Sequence, residues 1–436
     1  MSNLPIDEIA LVATVSPGQQ SGTESVQVVV RQGDLCSSRR KRLLSKFRRI
    51  PFCYILVLSL GSLLLLSILS CIIYETYRNG ALSFDPELVE HDSADRDYHR
   101  GLVDEVNNQG STWQARYNRY ASRSQENNGV DMGEVSKLLH KKQNLSDAEV
   151  LQDTKEHLEE LTRKQVKLPD SYDVRLEWSR CSSVHIAPNQ GGCGSCWSVS
   201  AASTMSDRLC ISTNGSEQSQ LSAQQLTSCC ANCGGCQGTH WAHSSFVYWK
   251  EEGLVSGGMY GSNEGCRPYE IAPNCGSPCS SSTYTKKRTP HCSKTCQPFY
   301  AKTYHEDVHK SRKAYWIWAE KGGSEATPII HKTIHSIVKE SGADIIKKEI
   351  FLHGPILACF TLFEDFQHYD RGIYKSKSVK DPKELYGHCA KLIGWGVENG
   401  TKYWTYMNTW GRDWGEYGFF RIDQSEIPEE AVAGLP

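Results

Sequence analysis

The chain has 436 residues, too many for one ordinary core and enough for about two to three folded units. Its 48 basic and 50 acidic residues leave a formal net charge of −2, which gives no support to nucleic acid or any other polyionic partner. Apolar residues at 39% and charged residues at 22% exclude both a wholly disordered chain and a multi-span membrane protein.

Residues 1–50 open with a stretch rich in Ser, Gln, Gly and Val that lacks helical periodicity, so a disordered cytosolic tail is expected there. Phe52–Tyr74 is a run of 23 uncharged residues. As a helix it would reach about 35 Å, enough for a hydrocarbon layer of about 30 Å. Eight basic residues against one acidic occupy 31–49, and one against four occupies 75–90. The positive-inside rule then predicts a signal anchor over 51–74 and a single-pass type II membrane protein, its body lumenal or extracellular, in an endolysosomal or cell-surface compartment. A cleaved signal peptide is the alternative, but its apolar core is usually about 7–15 residues and close to the start. Asn144, Asn214 and Asn399 open Asn-x-Ser/Thr glycosylation triplets on the same predicted side.

Downstream, 75–167 is charged, with helical spacing of Leu88, Leu102, Val103 and Val106 and a second charged stretch over Lys155–Lys167. Thirteen of the 18 cysteines fall between Cys181 and Cys296, which predicts a disulfide-rich region made in an oxidising compartment. Within it, Gln190-Gly-Gly-Cys193-Gly-Ser-Cys196-Trp197 contains a Cys-x-x-Cys pair that, alone, would suit a redox dithiol or half a zinc site. The residues that follow argue against both: Gly387-His388-Cys389, then Asn408-Thr-Trp410-Gly. A cysteine at the start of a helix running to about Leu209 would lie where the helix dipole and free amides stabilise an anion. A distant His and Asn would then complete a nucleophilic site. The Asn399-Gly400 pair predicts a hairpin that folds His388 and Asn408 onto neighbouring strands.

Cys-Gly-Ser-Cys-Trp with downstream His and Asn resembles the papain superfamily of cysteine peptidases, and within it cathepsin B. The resemblance covers Leu168–Pro436 and includes Leu-Pro-Asp-Ser-Tyr-Asp at 168–173, Cys266-Arg-Pro-Tyr269 and Gly394-Trp-Gly-Val-Glu-Asn-Gly400. It reaches upstream in Thr112-Trp-Gln-Ala115, which is similar to a cathepsin B propeptide. It implies an α+β fold, a helical domain against a β-barrel-like domain with the cleft between them, and 75–167 as a prosegment that lies across the cleft and inhibits its own peptidase domain, 168–436.

The same resemblance implies Cys196 as nucleophile, His388 as its base and Asn408 as the residue that orients the imidazole. Gln190 and the Cys196 N–H would form the oxyanion hole, Trp410 would shield the His-Asn bond, and Gly238, Thr239 and Gly387 would line the substrate cleft. Substrates would be proteins or peptides; no cofactor or metal is implied. Bridges would join Cys181 with Cys210, Cys193 with Cys236, Cys229 with Cys292, Cys230 with Cys233, Cys266 with Cys296 and Cys275 with Cys279, leaving Cys196, Cys359 and Cys389 free.

Three departures bear on specificity. The segment Cys275-Gly-Ser-Pro-Cys279 has no room for the His-His pair with which cathepsin B holds a substrate's C-terminal carboxylate, so an endopeptidase is expected. Gln237-Gly238-Thr239 replaces the usual Gly-Gly wall. The acid expected at the second substrate pocket falls near Pro428, with Glu429 adjacent. A catalytically weak or inactive cathepsin B-like binding protein is the alternative reading.

Overall fold

Residues spaced three and four apart shape the two upstream helices. On α1 (Ser93–Asn108) His99, Val103 and Val106 are buried, and on α2 (Asp147–Arg163) Leu151, Thr154, Leu158 and Leu161 are, so each helix buries one stripe and turns its charges outward. The computed structural model describes residues 93–123, 147–239, 241–280, 287–320, 327–376, 378–381 and 383–436, with Ser67 and Thr283 in addition. The chain forms two units, Met1–Ser83 and Phe84–Pro436, and everything below concerns the second.

After α1, strand β1 (Trp113–Ala115) adds to the sheet by pairing antiparallel with β5 (Tyr369–Tyr374), Trp113 opposite Gly372. Only glycine suits that position: its φ is +97°, and a Cβ would lie 2.6 Å from the Thr112 carbonyl oxygen. Trp113 is buried against Tyr369 and Tyr374, which anchors the short strand through side-chain area rather than ladder length.

The remaining elements follow in order: β2 (Tyr172–Asp173), the single turn α3 (Val174–Glu177), α4 (Cys196–Ser212), α5 (Ala223–Cys229), α6 (His243–Glu251), β3 (Lys313–Ala319), α7 (Thr327–Ile337), α8 (Gly342–His353), β4 (Ile356–Phe363), β5, β6 (Glu384–Glu398), β7 (Thr401–Met407), β8 (Phe419–Asp423) and β9 (Glu430–Leu435). The strand order is β1-β5-β8-β7-β6-β4-β9-β3, with β2 on β6. All pairs are antiparallel except β5 with β8. Asn399 (φ 50°) and Gly400 (φ 82°) make the turn between β6 and β7, both in the left-handed region that a two-residue hairpin needs.

α4 is the central helix, buried on nearly every side from Trp197 to Cys210. Small side chains at Ser198, Ser200, Ala201 and Ala202 let neighbours approach closely, and its charges are paired rather than exposed. Asp207 meets Lys391 of β6 at 2.6 Å, and Arg208 meets Glu349 of α8 at 2.8 Å, all four buried. Breaking one partner of such a pair leaves an uncompensated buried charge, a cost of about 3–5 kcal/mol. α4 is thereby tied to both the sheet and α8. The sheet and helices together form an α+β fold.

Disulfides join the six expected pairs and a seventh, Cys359 with Cys389. The expectation that these two are free is corrected: the β4–β6 register sets Cys359 directly opposite Cys389, with Cα atoms 4.0 Å apart. Against the expected type II membrane placement with its single anchor, no helix among the described residues is long and apolar enough to cross a membrane. The run Phe52–Tyr74, save Ser67, lies outside the described residues, as do the tail before it and Asn144. Asn214 and Asn399 are exposed.

Candidate active site

Cys196 is the first residue of α4, and Ser195 before it makes no side-chain cap, so the first-turn N–H groups are not consumed by a capping oxygen. Among the described residues it is the one free cysteine, every other being in a disulfide. Its sulfur accepts backbone N–H groups from Cys389, Trp197 and Cys196 itself, which sets it beside the strand that carries His388. Ser200 ties the same helix to that strand by donating to the Cys389 carbonyl at 3.1 Å.

His388 is on β6 and Asn408 is the first residue past β7, so the hairpin at Asn399-Gly400 brings Asn408 back beside the strand that carries His388. His388 Nε2 lies 2.9 Å from Asn408 Oδ1. That oxygen also accepts the Thr409 N–H at 2.8 Å, so it is an acceptor and His388 Nε2 donates, which leaves Nδ1 as the basic nitrogen. Trp410 is buried with its ring 4.9 Å from the imidazole, and Phe360 meets it edge-on at 5.8 Å. Burial pushes His388 down to about 4, against the pull of the Asn408 hydrogen bond. Burial likewise pushes the Cys196 thiol up, outweighing the three N–H groups. Both shifts run toward the neutral forms, because desolvation outweighs hydrogen bonding on each.

Gln190 is buried before the turn that leads to Cys196. Its Nε2 donates to the Cys193 carbonyl at 2.8 Å and its Oε1 accepts the Thr409 hydroxyl, while its backbone N–H donates to the Thr409 carbonyl at 2.8 Å. Thr409 thus fixes Gln190 from the strand that supplies Asn408. Tyr269 fixes it from the other side: its hydroxyl donates to the Gln190 carbonyl at 2.9 Å and lies 2.6 Å from Ser195 Oγ. Sequence reasoning treated Thr409 and Tyr269 as parts of motifs without roles, and the only signal was their position inside those motifs. Gly194 donates to the Cys236 carbonyl at 3.0 Å beside Gly238 (φ 92°), and the Thr239 hydroxyl donates to the Trp241 carbonyl at 3.1 Å. Gly387 is exposed, with open space where a Cβ would be. Glu429 accepts from the Thr361 N–H at 2.9 Å and from its hydroxyl at 2.6 Å.

The upstream stretch 116–122 lies against the Cys275–Cys279 loop. Asn118 donates to the Ser277 carbonyl at 2.7 Å, and a Cβ at Gly276 would strike the Tyr120 ring at 2.4 Å. Ser122 and Gln367 exchange two hydrogen bonds of 2.8 and 2.9 Å. The loop in turn approaches Asn189, whose Nδ2 is 3.5 Å from Ser277 Oγ and 3.4 Å from the Trp410 carbonyl. One cluster has metal-ligand composition, His157, Glu349 and His353, with donor atoms within 4.8 Å of one another. The Arg208 guanidinium already pairs with Glu349 at 2.8 Å, and its charge opposes a second cation there.

Residues 168–434 match the papain family cysteine protease profile. The chain belongs to that family. Over 269 residues it is 40% identical to "Cathepsin B-like cysteine proteinase 1" of Ostertagia ostertagi, which covers 61% of this chain and 71% of that one. A match of 379 residues at 34% identity to "Cathepsin B-like cysteine proteinase 6" of Caenorhabditis elegans covers 84% and 88%. Among solved structures, "proCathepsin B S9 from Trypanosoma congolense" is 26% identical with a TM-score of 0.53, covering 77% of this chain and 97% of that one. The papain-family chain is therefore a cathepsin B-like cysteine peptidase, a hydrolase, and its similarity to relatives and to a proform extends upstream of Leu168 into a prosegment.

Proposed function

We propose that this peptidase is a zymogen whose processed form is an endopeptidase acting through Cys196, His388 and Asn408. The carrying observation is that Cys196 alone among the described cysteines is unpaired, at the start of α4 and beside the strand whose His388 meets Asn408. With substrate in the cleft, the Cys196 thiolate, its proton already on His388 Nδ1, attacks the carbonyl carbon. The oxyanion meets the Cys196 N–H and the second hydrogen of the Gln190 amide. Collapse expels the amine, protonated by His388, and water hydrolyses the thioester by the reverse proton path. Thr409 and Tyr269 hold Gln190 so that its amide need not reorganise during the step.

The shifts of Cys196 and His388 toward their neutral forms fit a latent precursor. Departure of the stretch on the Cys275–Cys279 loop would admit water, lower the cost of both charges and favour the thiolate–imidazolium pair. Cys196→Ala in the processed protein should reduce peptide hydrolysis by a factor of about 10⁶, as nucleophile removal does elsewhere, with the fold intact. Full activity in a folded Cys196→Ala protein would sink the reading. The loop residues Gly276, Ser277 and Pro278 offer no cation for a terminal carboxylate, whose desolvation is costly without one. Matched peptides with acid and amide C-termini should be cleaved alike. A strong preference for the acid, with dipeptides released in sequence, would replace endopeptidase by dipeptidase action.

A further inference from the structure

Among the described residues strand β3 ends the sheet, with β9 on one side and no strand on the other. Such an edge presents unpaired N–H groups and recruits foreign strands unless something covers it. Helix α2 covers it with side chains. Asp153 accepts the Ala314 N–H at 3.0 Å and Lys250 Nζ at 2.6 Å, and Thr154 Oγ1 accepts the Trp316 N–H at 3.2 Å.

One turn on, His157 Nε2 reaches Glu349 at 2.7 Å, and its ring stacks on Tyr315 with centroids 3.6 Å apart. Glu349 also takes Arg208 at 2.8 Å and the Tyr315 hydroxyl at 2.7 Å. Burial opposes the Glu349 charge, yet His157 and Arg208 hold its carboxyl well below the usual range. Leu158 and Leu161 are buried beside this network, and α2 packs on α7 as well as β3. None of the described contacts of α2 involves Cys196, His388, Asn408 or Gln190.

We propose that the outer edge of β3, with the Arg208–Glu349 pair beneath it, is a permanent docking surface for the chain's own residues 147–163, so that the active peptidase keeps α2 after the 93–123 stretch has left. On the zymogen reading above, it is loss of the first segment, which lies against the Cys275–Cys279 loop, that relieves latency. The second stays bound even where the exposed linker at Gln165 or Lys167 is cut, because its departure would strand two edge N–H groups and strip an apolar stripe from β3 and α7. The word "active" rests on the zymogen reading above; the docking does not.

The full-length Cys196→Ala chain, which cannot process itself, is trimmed with an added protease, passed through gel filtration in native buffer and analysed by denaturing mass spectrometry. With the linker cut at Gln165 or Lys167, the expected result is a peptide containing 147–163 that accompanies 168–436 in equal amount and separates only in denaturant. Elution of 168–436 alone, or digestion of 147–163 under native conditions, overturns the proposal. A second readout uses Leu158→Asp in the full chain: the trimmed protein should melt several degrees lower and tend to aggregate, and an unchanged Tm overturns it. Neither result depends on activity, so an inactive wild-type enzyme would defeat the peptidase reading without touching this one.

Discussion

The two described segments upstream of Leu168 are held by different physics. The first, 93–123, attaches through a three-residue strand, one large aromatic residue, the short apolar stripe of Val103 and Val106 on α1, and polar contacts such as Asn118 with Ser277 and His99 with His368 at 2.9 Å. Polar contacts of this kind are exchanged for water at little net cost, about 0.5–1.5 kcal/mol each. The second, α2, buries a continuous stripe and completes an ion network in the core. A detachable inhibitor needs the first kind of attachment, and a buttress needs the second.

Truncation of the apolar anchors separates the two most strongly. Trp113→Ala should destabilise the precursor by about 3–5 kcal/mol and relieve latency, while a processed enzyme lacking 93–123 is unaffected. Leu158→Ala should cost about 2–5 kcal/mol in precursor and processed enzyme alike. Thermal melts of both variants before and after processing measure this. Equal behaviour of the two variants would erase the distinction.

Acid probes the same two sides with opposite signs. His243 of α6, stacked on Trp316 of β3 at 3.5 Å, is pushed by burial down to about 4, as is His388. The unfolded chain therefore binds more protons between about pH 6.5 and 4, and stability present above that window is lost as pH falls through it, about 3 kcal/mol per histidine. Asp365, in the stretch that receives the first segment, is pushed by burial up to about 6, so it stabilises the fold as pH falls from about 6 toward 4. Of these three groups, two lose stability and one gains it as pH falls. His243→Phe should flatten the pH dependence of Tm by about one histidine's share, and an unaltered profile would remove His243 from the account.

Much of the site was legible because its chemistry is written in contiguous motifs. Cys196 announces a helix start, and Asn399-Gly400 announces the hairpin that seats His388 beside Asn408. The seventh disulfide was not legible, since it depends on the β4–β6 register, which a side-chain period of two leaves open by any even shift. The Arg208–Glu349–His157 network joins residues far apart in the chain, each of which reads as an ordinary surface charge on its own helix. Likewise, Lys155–Lys167 reads as a charged, removable stretch, yet the helix around it begins at Asp147 and hides its apolar stripe against β3. The shifts of Cys196 and His388 toward their neutral forms were not legible, because they depend on how much water the folded chain leaves around each group.

The central claim is that Cys196 is the nucleophile and that the first upstream segment keeps it latent. The most direct measurement is labelling with a thiol-reactive epoxide, mapped by peptide mass spectrometry and timed before and after removal of 93–123. The account predicts modification at Cys196 alone among the described cysteines, slow in the precursor and at least tenfold faster once the segment has gone. Equal rates in the two forms, or peptide hydrolysis that survives complete labelling of Cys196, would contradict it.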